Sequence, residues 1–425
     1  MAMPRNIVLI TFDALRADHL SCYGYGRETS PFLASVAADG ARFDRAFSAS
    51  SHTREAVPSI LTGRYPDDAV DAGYQRDADT VAATLGSNGF TSAGFHSNPF
   101  VSRAYGFDQG FDHFDDDLHL GKNKLLALAQ RALDKVRNRH YARASEINER
   151  SLDWLDSLDD DPFFLWNHYM DPHGPYEAPA AYQREFHGEV VPDSAAQDLY
   201  QRAIDDPESI TDAERERLRD LYDAEIKYTD DRLRSLFDEL GDRGLLSESL
   251  VLLTADHGDA FGEHGYFEHP RYLHDELVHV PLVMTGPDVP SVTVETPVST
   301  LDVARTALET AGASAEGLPG EDLRAVADAP EEHADRVVFS QARGEDADAH
   351  LRRFSARSES ATRFGEYDTT AADLSLSGEH EEGDTAAQLR AHVADRTDAG
   401  ATAGASENEA VDDAIEDRLS ALGYK

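Results

Sequence analysis

The sequence predicts an α/β fold: a mostly parallel sheet with helices on both faces, followed by a small antiparallel C-terminal subdomain. Three observations carry that reading. First, four apolar runs of strand length are continuous rather than alternating: NIVLITF (6–12), TSAGF (91–95), PFFLWNHYM (162–170) and SLVLLTA (249–255). Continuous runs belong to strands buried on both faces, as in parallel sheets covered by helices. Second, the intervening stretches PFLASVAADG, TVAATLGSNG and YTDDRLRSLFDELGDRG have helical spacing and end at glycine, a frequent helix stop. Third, every apolar run breaks off into polar residues: Asp13, His96-Ser97-Asn98, Asp171-Pro172-His173 and Asp256-His257-Gly258. A doubly wound sheet binds its ligand beyond the carboxyl ends of its strands, so these clusters are expected to converge on one site.

The remaining elements follow in chain order. Residues 118–150 and 180–218 read as helical or loop insertions over that edge. The first contains Arg131, Lys135, Arg137, Arg139 and Arg143, either a solvated helix face or a local attraction for an anionic substrate. Residues 1–330 are expected to form the catalytic domain. From about 331 the runs RVVFSQARG and LRRFSARSESATRFGEY read as short antiparallel strands of a subdomain covering 331–425. Few large apolar groups occur in 370–412, so that acidic segment is expected to be flexible. VDDAIEDRLSALGYK then closes the chain as a short amphipathic helix.

Composition narrows the function classes. The chain has 425 residues, 81 acidic against 39 basic, for a net charge of −42, and only five of the basic residues are lysines. A dense carboxylate surface with few lysine stems holds water at high salt, where screening suppresses self-repulsion; a halophilic, cytoplasmic protein is expected, a mesophilic acidic one being the alternative. Duplex nucleic acid is a poor partner for such a surface. No apolar run approaches the length of a membrane span, so a soluble protein is expected with no membrane partner. Cys22 is the single cysteine, which excludes an intrachain disulfide and a thiolate metal cluster and leaves Cys22 as a small packed side chain.

Asp13, Asp256 and His257 form a plausible set for a divalent cation, two carboxylate oxygens and a neutral imidazole (Ca, Mg, Mn or Zn). An Asp-His pair directly after a buried strand also reads as a helix cap and a packed loop histidine; its coincidence with Asp13 on a second strand end favours the metal. His173 in DPHGPY and His269 in FEHPRYLHDE are candidates for gripping an anion or protonating a leaving oxygen, or else histidines bonded within loops. Asn98 is a candidate anion donor or a turn residue before Pro99. His168, inside its apolar run, reads as a satisfied core histidine. Thr53 precedes the helical segment REAVPSILTG, and on this segment alone it reads as the N-cap. That position would also present its hydroxyl where helix N–H groups favour an incoming anion.

Several ordered blocks resemble the sulfatase family of the alkaline phosphatase superfamily. They are the opening NIVLITFDALRADHLSCYGYGRETSPFLASVAADGARFDRAFSASSHT, then LTGRYP, SNPFVSRAYGFDQGFDHFDD, HYMDPHGPY, TADHGDAFGEHG, HDELVHVPLVM, VSTLDVARTALETAG, GLPGEDL and LSALGYK. The resemblance implies the sulfatase fold and hydrolysis of sulfate or phosphate esters of small molecules or glycans. It implies Asp13, Asp256 and His257 as metal ligands, Thr53 at the nucleophile position, and His173 and His269 facing the substrate anion.

The departures bear on the chemistry. Where the family carries Cys or Ser in a Cys-x-Pro-Ser-Arg frame, this chain reads Thr53-Arg54-Glu55-Ala56-Val57. Ala14 replaces the usual second aspartate, and His96-Ser97-Asn98-Pro99 replaces the Gly-Lys-Trp-His block with its lysine. Oxidising a threonine gives a ketone, so no formylglycine is expected and no aldehyde hydrate exists to expel sulfate. A threonine alkoxide can instead accept and lose a phosphoryl group by in-line attack, resembling the nucleotide pyrophosphatases and phosphoethanolamine transferases of the same superfamily. Phosphoesters are therefore favoured over sulfate esters, with transfer to another alcohol as a variant. The alternative is a catalytically degenerate relative that binds an anionic glycan or nucleotide.

Overall fold

The computed structural model describes residues 4–117, 141–377 and 383–399. Its main sheet has eight strands: β1 (Asn6–Phe12), β2 (Ala41–Phe43), β3 (Thr91–Phe95), β4 (His113–Asp115), β5 (Phe163–Tyr169), β6 (Ser249–Ala255), β7 (Leu282–Thr285) and β8 (Val292–Val294). Their spatial order is β8-β2-β7-β6-β1-β5-β3-β4. All pairings are parallel except those of β7 with β6 and β2.

Every residue of β1, β5 and β6 is buried, as their continuous apolar runs require. Successive side chains leave opposite faces of a strand. Val8, Ile10 and Phe12 of β1 therefore join one core, and Ile7 and Leu9 join another. The first core packs beneath helices α1 (Pro31–Asp39), α4 (Ala144–Asp156) and α5 (Asp212–Asp242). The second lies beneath α2 (Thr53–Thr62), α3 (Val81–Ser87) and α6 (Leu301–Thr310). The result is a three-layer α/β/α arrangement, as the sequence predicts.

Register decides what meets at the carboxyl edge. Phe12 pairs with Ala255 of β6 and with Tyr169 of β5, so Asp13 and Asp256 emerge side by side. The turn after Asp13 places Ala14 at φ 58, and the Tyr222 hydroxyl braces it by donating to the Ala14 carbonyl at 2.7 Å.

A four-stranded antiparallel sheet (Val338–Arg343, Leu351–Arg357, Thr362–Asp368 and Asp373–Ser377) follows, in sequential order. It is tied to the segment before α2: Gln341 N–H donates to the Ala49 carbonyl and the Ser340 hydroxyl to the Ser48 carbonyl. Within 370–412, expected to be loose, the described residues include two regular elements. Residues 373–377 form the edge strand, and α7 (Asp384–Ala399) packs Leu389 and Val393 on Phe354 and Ala356. Few apolar groups suffice there because Ala386, Leu389 and Val393 fall on one helical face. The remainder of that segment, the closing helix, and Arg131, Lys135, Arg137 and Arg139 lie outside the described residues. Arg143 is no part of a solvated face: it contacts Asp171 at 2.5 Å and Glu225 at 2.6 Å, both fully buried. Among the described residues no helix is long and apolar enough to cross a membrane.

Candidate active site

At the carboxyl edge the strand-end residues do converge. Asp13 and Asp256 follow β1 and β6, His257 follows Asp256, and all three are fully buried. Thr53 arrives from the other side as the first residue of α2. The N-cap is His52 rather than Thr53: its Nδ1 accepts the Arg54 N–H at 3.2 Å. With the capping role filled by its neighbour, the Thr53 hydroxyl reaches His257 Nε2 at 3.0 Å. Gly63 of the LTGRYP motif ends α2 at φ 67, returning its N–H to the Ser59 carbonyl at 2.8 Å. Gly258 is required by proximity, since a Cβ there would stand 2.1 Å from the Glu276 carbonyl oxygen.

Hydrogen bonds assign each ligand atom. His257 Nδ1–H donates to the Gly258 carbonyl at 2.8 Å, leaving Nε2 with its lone pair directed at the site. Asp13 Oδ2 receives the Asn98 amide at 2.6 Å and faces His168 Nε2 at 3.3 Å. Asp256 Oδ1 accepts the N–H groups of His257 (2.8 Å) and Ala14 (3.2 Å). Asp13 Oδ1 and Asp256 Oδ2 remain, buried and with no hydrogen-bond partner among the described residues. His257 Nε2 lies 3.6 Å from the first and 3.5 Å from the second. Those separations match neighbouring ligands around a cation with bonds of about 2.0–2.5 Å. The donor set therefore fits a divalent ion, and its electrostatics call for one. Burial and the charge of Asp13 push the Asp256 carboxyl up to about 7. Burial also opposes charge on Asp13, but His173, His168 and His257 outweigh it and hold that carboxyl low.

His168 is the satisfied core histidine its strand context predicts, fully buried, and it also reaches the site. Asp13, His168 and Asp256 each bring a potential ligand atom within 4.8 Å of the others. The hydrogen bonds favour a supporting role over ligation, because His168 Nε2 points at the Asp13 oxygen already engaged by Asn98. Its other nitrogen contacts Thr11 Oγ1 at 2.9 Å, which also accepts the Trp166 indole N–H at 2.9 Å. The available signal was its polarity, beside Asn167, in an otherwise apolar strand, in register with Thr11. Asn98, a candidate anion donor, directs its amide at Asp13, while its side-chain oxygen caps Phe100 N–H at 2.8 Å. Asp171 serves the fold by accepting the Ala144 N–H at 2.8 Å.

His173 and His269 meet over the site with their Nε2 atoms 3.0 Å apart. His173 Nδ1–H donates to the Gly174 carbonyl at 2.6 Å, so its Nε2 accepts from His269 Nε2–H in the neutral pair. Burial lowers the basicity of His257, and lowers that of His52 and His269 strongly.

A buried hydroxyl at a helix start, an imidazole–dicarboxylate cage that could hold a divalent ion and a histidine pair thus meet at one edge of the sheet. The chain belongs to the sulfatase family, whose profile matches residues 5–313. It is 24% identical over 359 residues to the uncharacterized sulfatase YidJ of Escherichia coli (strain K12), covering 76% of this chain and 71% of that protein. The fold is similar to that of BT4656, solved with its substrate D-glucosamine-2-N,6-O-disulfate (TM-score 0.72, 17% identity, 95% of this chain and 100% of that one). It is similar also to the phosphonate monoester hydrolase of Agrobacterium radiobacter (TM-score 0.69, 20% identity, 92% and 94%). The fold is thus that of the alkaline phosphatase and sulfatase superfamily.

Proposed function

We propose that this sulfatase-family chain is a metal-dependent hydrolase of phosphoric and sulfuric esters, with Thr53 as nucleophile and phosphoesters as its better substrates. One observation carries the reading. The Thr53 hydroxyl, at the start of α2, lies 3.0 Å from the imidazole that also faces the two unpartnered carboxylate oxygens. Asp13, Asp256 and His257 would hold the cation, which when bound supplies charge screening and a lower pKa for a coordinated hydroxyl.

Thr53 Oγ attacks phosphorus, forming the Oγ–P bond as the bond to the leaving alkoxide breaks, and the hydroxyl proton passes to the neutral His173–His269 pair. The alkoxide takes that proton from the pair. Water then attacks phosphorus, the Oγ–P bond breaks, and the proton released by water returns to Thr53 Oγ; an alcohol in place of water makes the reaction a transfer. In the neutral pair His269 Nε2–H is held by His173; once His173 Nε2 takes a proton, both Nε2–H groups can donate to the anion. Sulfate fits this route less well, because the sulfatase exit by elimination needs the second hydroxyl of an aldehyde hydrate that threonine does not have. The phosphonate monoester hydrolase among the structural neighbours supports phosphorus chemistry on this fold.

The test compares nitrophenyl sulfate with mono- and bis-nitrophenyl phosphate, at high salt, for wild type and Thr53→Ala. Turnover of a phosphate ester, lost by roughly three orders of magnitude or more in Thr53→Ala, is expected. Full activity in Thr53→Ala would remove the nucleophile assignment. Absence of bound divalent metal together with no rate on any ester would favour a non-catalytic binder of an anionic glycan or nucleotide.

A further inference from the structure

A cavity of about 330 Å³ adjoins the histidine pair. His52 and His269 form its inner wall, and Arg271, Arg353, Glu268 and Glu345 are among its other lining residues. Arg271 stands out. It is only 5% exposed, yet its Nε and Nη1 have no hydrogen-bond partner among the described residues. Buried guanidinium N–H groups left unmatched are costly, and a ligand acceptor is a recognised reason for them. The nearest internal candidate, Glu55 Oε2, lies 3.4 Å from Nη1 but already accepts the Ser50 hydroxyl at 2.7 Å.

Of the two carboxylates paired with Arg271, buried Glu55 is fixed and Glu345 is replaceable. Arg271 Nη2 bonds Glu345, whose side chain is 44% exposed beyond the strand ending at Arg343, and reaches the Tyr74 hydroxyl at 3.5 Å. An anion entering the cavity can take the place of Glu345 while that carboxylate turns to solvent. One negative group replaces another, and the charge around Arg271 stays balanced. The second cation, Arg353, is balanced by Asp348 at 2.6 Å. Glu268, held at φ 65 between the cavity and His269, adds little repulsion. Burial and the nearness of Asp259 and Glu345 push its carboxyl up to about 8, so it is largely protonated at neutral pH.

We infer that Arg271 forms a subsite for a second anionic group, a carboxylate or a further sulfate or phosphate, carried on the alcohol part of the ester, and that Glu345 holds the subsite closed until such a group arrives. The inference rests on the ester-hydrolase reading and adds the substrate class to it. His269, proposed to face the substrate anion, lines the cavity, whereas Asp13 and Asp256 do not, so a group on the alcohol part of the ester can enter it.

The experiment compares 4-nitrophenyl phosphate with 3-carboxy-4-nitrophenyl phosphate, and calorimetric binding of their products 4-nitrophenol and 5-hydroxy-2-nitrobenzoate. Wild type is expected to prefer the carboxylated ester in kcat/KM by about tenfold or more, and to bind the carboxylated product more tightly. Arg271→Gln should erase both preferences, and Glu345→Gln should enlarge them. Equal kcat/KM for the two esters in wild type, or a preference that survives Arg271→Gln, overturns the subsite. Absence of turnover of either ester refutes the hydrolase reading instead, and the product titration then still decides whether Arg271 selects the carboxylate.

Discussion

Asn98→Ala tests whether the site is built around a cation, through a residue that need not touch it. Asn98 donates to Asp13 Oδ2 at 2.6 Å, and with His168 Nε2 at 3.3 Å it turns Oδ1 toward His257. A hydrogen bond to a charged group is worth about 1.5–3 kcal/mol. If most of that is spent orienting the ligand oxygen, its loss weakens divalent-metal binding by roughly 10- to 100-fold, the usual range for supporting residues. The same substitution removes the cap on Phe100 N–H, which lowers stability by about 1 kcal/mol irrespective of metal. Chelator-competition titrations with calcium and manganese, beside thermal melts of the metal-free protein, separate the two effects. Metal affinity within twofold of wild type, with only the melt displaced, would refute the assignment of Asp13 Oδ1 as a ligand held by Asn98.

Other expectations follow from the same geometry. His173→Ala should lower kcat on a poor alkyl leaving group by about 10²- to 10⁴-fold and on a nitrophenyl ester far less, the mark of lost leaving-group protonation; equal losses on both would count against that role. Gly63→Val should destabilise the fold by about 2 kcal/mol or more, because the position sits at φ 67 and a Cβ would stand 2.8 Å from Ala304 Cβ; an unchanged denaturation midpoint would refute it. With a net charge of −42, the melting temperature should climb as potassium chloride is raised from 0.1 M towards about 3 M, where the Debye length falls below 3 Å. A salt-independent melt would remove the halophilic reading of the composition.

The strands and the positions of the candidate site residues were legible because both are local. A continuous apolar run ending in Asp13, or in Asp256-His257, announces a buried strand and a polar edge without reference to any other part of the chain. His173 was legible in the same way; Thr53 and His269 entered through the motifs around them, and the cap that the Thr53 segment suggests falls instead on His52. The C-terminal helix 384–399 was missed because counting apolar residues ignores where they fall; three on one face suffice when a sheet lies beneath them. His168 is the satisfied core histidine that its apolar run suggests, but its contact with Asp13 was not legible. Only the pairing of Thr11 with His168 brings the ring to Asp13.

The sequence by itself therefore determined which segments become strands and helices, and which residues wait at the carboxyl edge. Tertiary structure alone decided how they meet. Register made Asp13 and Asp256 neighbours, hydrogen bonding at one oxygen of each left the other open, and His52 took the cap that left the Thr53 hydroxyl facing His257. His52, Arg271 and Glu345, drawn from three distant parts of the chain, became one cavity wall by the same route. Such contacts depend on which elements pack together, and local periodicity carries no record of that.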